Sequence, residues 1–103
     1  MLKKAALEFG RALSDLRLME IICGSSPNFN LTTDQIHGIR IQVQDVLGNL
    51  KRICILSDLD QAIGPELDRF QAALNSEPLQ KLSQRCDHLR NRSEEHTSEL
   101  QSH

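Results

Sequence analysis

The sequence predicts an all-α fold, a small bundle of about four helices. Apolar residues recur over most of the chain with the 3.6-residue period of amphipathic helices. Only Phe9, Phe29 and Phe70 are aromatic, so the core must consist mainly of Leu, Ile, Val and Ala, as is usual in helical bundles. Short clusters of turn and capping residues separate the periodic segments. We find no internal repeat, low-complexity tract or second domain.

The first helix is predicted from about Leu2 to Cys23. At about 100° per residue, one sector holds most of its apolar residues, with Glu20 as the exception. The members of this stripe are Leu2, Ala5, Ala6, Phe9, Ala12, Leu13, Leu16, Met19 and Cys23. A second, smaller apolar set lies off the stripe and consists of Leu7, Leu18, Ile21 and Ile22. A helix with two apolar faces is expected to pack between neighbours, and Gly24 to Asn28 (GSSPN) should end it.

The second helix is predicted from about Thr33 to Leu56. Thr32 or Thr33 can cap it, and Thr32 and Gln35 have the spacing of a capping box. Ile39 to Val43 alternates like a strand, but the longer window follows the helical period, with Ile41 alone on the opposite side. The apolar face consists of Ile36, Ile39, Val43, Val46, Leu47, Leu50 and Cys54. Gly48 predicts either a local weakness or a close helix contact.

Two shorter helices should follow a break at Ser57-Asp58. Gly64-Pro65 is expected to begin the third, because proline suits a first helical turn. Its apolar stripe is Leu67, Phe70, Ala73 and Leu74. Asn75-Ser76 should cap a fourth helix that begins near Glu77-Pro78. The stripe of that helix is Leu79, Leu82, Cys86 and Leu89. The next apolar position falls near residue 93, which is a serine.

The last twelve residues read RSEEHTSELQSH. The stretch Arg92 to Ser102 resembles the translation of one frame of a common short-read library adapter, over eleven consecutive residues. This resemblance implies that residues 92–103 are a non-native, adapter-derived tail. It also implies that residues 1–91 are a single, incomplete helical domain whose C-terminal helix is truncated. Such segments must be set aside before the fold is interpreted.

Composition restricts the function classes. Without the tail, 11 basic and 11 acidic residues remain, and this neutral balance argues against a large basic face for nucleic acid. The N-terminus lacks the pattern of a signal peptide, and no apolar run is long enough for a membrane span. Cys23, Cys54 and Cys86 are widely spaced, which is typical of reduced, buried thiols. We therefore expect a cytoplasmic protein.

We expect no catalytic, cofactor-binding or metal-binding residues in residues 1–91. Cys86-Asp87-His88 places three reactive side chains in a row, but neighbouring positions on a helix point about 100° apart. The acidic group Asp58, Asp60, Glu66 and Asp68 lacks the spacing of a calcium loop, so solvated or capping carboxylates are expected. His37 lies outside the apolar stripe of the second helix and should be exposed.

Two further resemblances concern the C-terminal half. Arg90 and His96 form an R-x5-H pattern that resembles the signature of HEPN-type ribonucleases, in which the pair would act on RNA. Because His96 lies in the adapter-like segment, the match does not extend to residues 1–91. Residues 53–91, with Leu82-x-x-Arg85 and Leu89, resemble uncharacterised small all-helical bacterial proteins, and that resemblance implies no activity.

These observations favour a non-enzymatic interaction or regulatory module. Its apolar helix faces would bind a protein partner or mediate self-association. The alternative is a truncated HEPN-like RNA-targeting or defence protein whose active residues lie in the missing C-terminus.

Deleting Arg92 to His103 tests the adapter interpretation. Because an appended tail adds no native packing, helix content and Tm should stay essentially unchanged. Circular dichroism of the full and shortened chains measures both quantities. A fall in Tm of several degrees on deletion would contradict the interpretation.

Overall fold

The computed structural model describes residues 2–96 and confirms the predicted all-α bundle. Within these residues the chain forms four α-helices and one short 3₁₀ turn. The α-helices are α1 (Leu2–Ser25), α2 (Thr33–Leu56), α3 (Asp60–Ala73) and α4 (Leu79–Glu94), and the 3₁₀ turn is Ser26–Asn28.

Successive helices run antiparallel, and each packs mainly against two neighbours. Helix α1 lies against α2 and α4, and α3 closes the ring by contacting the same two helices. Arg40 of α2 reaches Leu74 after α3, whereas Lys51, farther along α2, pairs with Asp68 earlier in α3. This crossing order requires opposite helix directions. The molecule is elongated, at 47 × 21 × 18 Å, as expected from two long helices.

The core is one cluster built from the predicted stripes. Six residues of the α1 stripe are buried: Phe9, Ala12, Leu13, Leu16, Met19 and Cys23. Ala5 and Ala6 are half-buried, and the side chain of Leu2 lies outside the described part of the chain. Buried residues of the other helices include Val43, Leu47, Leu50, Cys54, Leu67, Phe70, Leu74, Leu79, Leu82, Cys86 and Leu89. Mutual burial of these stripes is the main stabilising term for such a bundle.

The expectation that α1 packs on both of its apolar faces is wrong. Leu7, Leu18 and Ile21 are exposed, and only Ile22 of the second set packs against the core. The physical reason is the ring arrangement, in which both main neighbours of α1 lie on the side of its first stripe. The second apolar set therefore faces outward.

Helix α2 has the predicted boundaries and the predicted capping box. The Thr32 hydroxyl accepts from the Gln35 N–H at 3.1 Å, and the Gln35 side chain accepts from the Thr32 N–H at 2.8 Å. Ile41 faces outward, as predicted from the helical period. Gly48 makes no close helix contact, because a Cβ atom added there would meet nothing within 4 Å. Of the two alternatives at this glycine, only a local loss of helix propensity remains.

Helix α3 begins at Asp60, so the predicted start at Gly64-Pro65 is wrong. Leu59 and Ile63 are both buried, and a helical turn between them brings both side chains to the core. Asp58, at φ 60°, reverses the chain just before this turn. Pro65 consequently lies inside α3, where its missing N–H leaves one carbonyl without the usual helical donor. Tertiary burial here overrides a local start signal.

Helix α4 begins at Leu79, with Pro78 at its N-cap and no side-chain cap, so Asn75-Ser76 do not cap it. Instead, the Ser76 hydroxyl donates to the Ala73 carbonyl at the end of α3, at 3.2 Å. The helix continues to Glu94, and Ser93 is fully buried. Position 93 is thus a core position, as the spacing predicts. Deleting residues 92–103 would remove this buried side chain. The prediction that the Tm stays unchanged on deletion does not include this loss of packing.

No helix within residues 2–96 is both long enough and apolar enough to span a membrane.

Thr32→Ala should destabilise the chain by about 1 kcal/mol, because it removes the hydroxyl that caps α2. Chemical denaturation followed by circular dichroism measures the free energy of unfolding. Thr33→Ala is the matched control, since Thr33 is exposed in the first turn of α2 and should shift that energy by less than about 0.5 kcal/mol. Equal effects of the two substitutions would contradict the capping role.

Candidate functional site

An open cleft of about 280 Å³ lies between α3 and α4. Helical spacing of three and four residues brings one row of polar side chains from α4 to its edge. The lining residues are Glu66, Phe70, Glu77, Lys81, Gln84, Arg85 and His88. The cleft combines carboxylates, cations and an imidazole, which are the groups that acid–base chemistry uses. The hydrogen bonds and ion pairs that these side chains form with one another determine their role.

Glu66 is the most enclosed carboxylate of the cleft, with its side chain 15% exposed. One oxygen lies 3.0 Å from His88 Nε2 and the other 3.4 Å from Arg92 Nε. Arg92 also donates to the Ala62 carbonyl at 3.3 Å. Each carboxylate oxygen therefore contacts one side chain of α4, and Glu66 joins α3 to α4.

Glu77 and Arg85 form the other end of the cleft through two hydrogen bonds from the guanidinium. The hydrogen bond from Arg85 lowers the pKa of Glu77, and the bond to Glu77 raises the pKa of Arg85. Arg40 of α2 donates to the carbonyls of Leu74 and Glu77 at 2.6 and 2.7 Å. Together these bonds fix the turn between α3 and α4 onto α2.

Arg90 lies in an ion-pair cluster between α1 and α4, with its side chain 14% exposed. Its guanidinium lies 3.3 Å from Glu20, 3.0 Å from Asp87 and 3.2 Å from Glu94. Burial alone would lower its pKa, but hydrogen bonds to Glu94 and Glu20 and the charge of Glu20 raise it overall. A guanidinium surrounded by carboxylates has few donors left for a phosphate. This geometry is that of a helix-joining cluster.

His96, the other member of the R-x5-H pattern, follows the last turn of α4. Its backbone N–H donates to the Ser93 carbonyl at 3.0 Å. Of this R-x5-H pair, Arg90 thus lies in the ion-pair cluster between α1 and α4, and His96 lies just beyond the end of α4. His103, the last residue of the adapter-like segment, lies outside the described residues.

Cys86, Asp87 and His88 diverge, as the helical geometry predicts. Cys86 is fully buried in the core, Asp87 points to Arg90, and His88 points to Glu66. Among residues 2–96, no three His, Cys, Asp or Glu side chains come together as metal ligands. The predicted burial of all three cysteines is confirmed.

The thiols are poor nucleophiles at neutral pH. Burial raises the pKa of Cys23 and of Cys54 to about 11. Burial, with a smaller contribution from neighbouring Cys23, raises the pKa of Cys86 further. Because the thiolate is the reactive form of cysteine, these side chains act as small core residues.

The acidic group of the sequence does not converge. Asp58 occupies the turn before α3, Asp60 lies in the first turn of α3, and Asp68 pairs with Lys51. Glu66 points into the cleft. The four carboxylates serve separate local roles, and His37 is exposed as predicted.

The remaining candidate is the outward face of α1. Leu7, Leu18 and Ile21 are 67, 54 and 51% exposed, and they lie on the side opposite the core stripe. Arg11 and Ser14, which occupy the same face between them, are also exposed. We call these five residues the outer seam of α1. Other exposed large apolar residues are scattered elsewhere: Phe29, Ile41, Ile55 and Leu56.

Sequence reasoning missed the roles of Arg40 and Glu66. Arg40 lies among apolar residues of α2 and Glu66 in an acidic stretch, so neither position indicates a partner more than 20 residues away. Only the packing of α2, α3 and α4 brings these partners together. The outer seam, in contrast, is visible in the sequence as the second apolar set of α1.

No protein family model, no curated protein and no solved structure matches this chain.

Glu77→Gln should lower the Tm at pH 7, because it removes the charge that pairs with Arg85. A carboxylate whose pKa is lowered on folding stabilises the protein above its unfolded pKa, and this stabilisation is lost as the pH falls through the folded pKa. The difference in Tm from the unmodified chain should therefore shrink below pH 4.5, the ordinary glutamate value, and vanish in stronger acid. Thermal melts across this pH range measure it.

Glu8→Gln is the control for this pH series, since Glu8 forms no salt bridge within residues 2–96. Its Tm should follow that of the unmodified chain across the range. A Glu77→Gln difference that persists unchanged in strong acid would contradict the ion-pair contribution.

Proposed function

We propose that this chain is a non-enzymatic interaction module that binds an amphipathic helix along the outer seam of α1. The observation that carries the proposal is the row of Leu7, Leu18 and Ile21, each more than half exposed on the side of α1 opposite the core. Single exposed apolar residues are ordinary on protein surfaces, but an aligned group is typical of a docking face.

The spacing of the outer seam suits a helical partner. Positions 7, 11, 14, 18 and 21 alternate steps of four and three residues, as do the contact positions of a coiled coil. Leucine and isoleucine at three of these positions can enter the spaces between side chains of a facing helix. Arg11 and Ser14 place a polar break near the middle, which would favour one register over others.

The polar clusters of the molecule support a structural rather than a catalytic role for its charged side chains. Glu66 and Arg90 are each held by charged partners from the same or a neighbouring helix. Burial raises the pKa values of the Cys23 and Cys54 thiols, whereas a catalytic cysteine is activated by a lowered pKa. Binding through an apolar face needs neither a free base nor an activated thiol.

A double substitution in the seam tests the proposal. Leu18→Glu with Ile21→Glu should weaken binding of a fluorescently labelled Leu/Glu/Lys heptad peptide at least about tenfold, because it puts charge into the apolar contact. Fluorescence anisotropy measures the affinity. The Tm of the double variant should change little, since both side chains are more than half exposed and surface substitutions usually have small effects on stability.

Ile41→Glu with Ile55→Glu is the matched control. These two side chains of α2 are 45 and 55% exposed, so the change in exposed apolar surface and in charge is nearly the same. Binding should be retained in this variant. Equal loss in both double variants, or retention in both, would contradict a docking role for the outer seam.

A further inference from the structure

We infer that the partner bound along the outer seam of α1 is an acidic amphipathic helix. This inference rests on the proposed function and adds to it the charge of the partner. Exposed cations lie in line with the apolar residues of the outer seam, and no carboxylate of α1 lies in that line. The charge of the face is what carries the inference.

The cations continue the spacing of the outer seam. Lys4 precedes Leu7 by three residues and Arg11 follows it by four, so the three side chains lie on one face of α1. All three are exposed. At about 100° per residue, Lys4 and Arg11 lie within about 60° of the centre of the outer seam, and no Asp or Glu of Leu2–Ser25 does. The middle of the outward face therefore has a net positive charge.

The carboxylates of α1 lie to the sides of this face. Asp15 and Arg17 are both exposed and lie at about 80° on opposite sides of the centre of the outer seam, so their charges offset each other. Glu8 is half-buried and lies about 100° from that centre. Glu20 pairs with Arg90 of α4. None of these three carboxylates cancels the positive charge along the outer seam.

Lys4 and Arg11 are not used by the fold. Neither forms a salt bridge within residues 2–96, so both charges can pair with a bound molecule. Their aliphatic stems can pack beside Leu7 while the charged ends reach outward. A facing helix with carboxylates next to its apolar residues would contact both parts of these side chains. A basic helix would bring like charges together, which is unfavourable.

The two ends of the outward face allow apolar contact and charge to be tested separately. Leu18 and Ile21 are apolar and lie in the C-terminal half of α1, whereas Lys4 and Arg11 lie in its N-terminal half. Substitutions at Leu18 and Ile21 remove the apolar contact on which the proposed function depends. Substitutions at Lys4 and Arg11 change the charge of the face and leave those apolar residues in place.

The first arm of the test compares two labelled peptides on the unmodified full chain. Both have leucine at the same heptad contact positions, and they differ only in having glutamate or lysine at the flanking positions. The glutamate peptide should bind at least about tenfold more tightly at low ionic strength, measured by fluorescence anisotropy. The formal net charge of the chain is −2, so non-specific attraction would favour the lysine peptide instead. The preference should shrink in about 1 M salt, where screening acts within about 3 Å.

The second arm reverses the charge of the face. Lys4→Glu with Arg11→Glu should weaken binding of the glutamate peptide at least about tenfold and strengthen binding of the lysine peptide. Arg69→Glu with Lys81→Glu is the matched control, because these cations of α3 and α4 are also exposed and outside the salt bridges of residues 2–96. The net charge changes equally in both double variants, so the control should keep the preference for the glutamate peptide. Circular dichroism checks that both variants are folded.

The outcomes separate this inference from the proposed function. A preference for the glutamate peptide that is lost in the Lys4 and Arg11 double variant, and kept in the control, supports the inference. Equal binding of the two peptides, a preference for the lysine peptide, or equal loss of preference in both double variants overturns it. In those cases, loss of peptide binding in Leu18→Glu with Ile21→Glu would still support the proposed function. Failure of both peptides to bind the outer seam overturns the inference and the proposed function together.

Discussion

The pairing of the first helix with the last holds this bundle closed. Helices α1 and α4 form the most extensive helix contact within residues 2–96. The Ser83 hydroxyl donates to the Glu20 carbonyl at 2.7 Å, and Arg90 reaches the Glu20 carboxylate. The Ser83 side chain also packs against Gly24, where an added Cβ atom would lie 2.9 Å from the Ser83 Oγ atom. These contacts join residues 59 to 70 positions apart, so they fix the topology against the entropy cost of closing a long loop.

The outward face of α1 is a direct consequence of this closure. Once α4 and α2 occupy the side of the first apolar stripe, the ring of four helices within residues 2–96 has no element left to cover the second set. Leu7, Leu18 and Ile21 must then face solvent, although each is a good core residue. An exposed apolar face is thus a product of the packing arrangement, and it gives the molecule a surface suited to another helix.

Hydrogen-bonded charged side chains join the helices outside the apolar core. Arg40 binds the turn after α3, Glu66 joins α3 to α4, and Arg90 joins α4 to α1. Exposed ion pairs contribute little to stability, but partly buried, hydrogen-bonded ones penalise other packings because a broken pair leaves a desolvated charge. In this bundle the partly buried ion pairs therefore help to determine which helices pack against each other. The three buried thiols of the core have pKa values raised by burial, so they stay in the protonated form at neutral pH.

By itself, the sequence determined the helical class, the core stripe of α1 and both ends of α2. Each of these depends on local signals: a 3.6-residue apolar period, and the hydroxyl and amide spacing of Thr32 and Gln35. Tertiary structure decided the start of α3, because burial of Leu59 and Ile63 outweighs the local preference at Gly64-Pro65. It also decided the partners of Arg40 and Glu66 and the exposure of the second face of α1. Periodicity shows that a face is apolar, but only the positions of the neighbouring helices show whether it is covered.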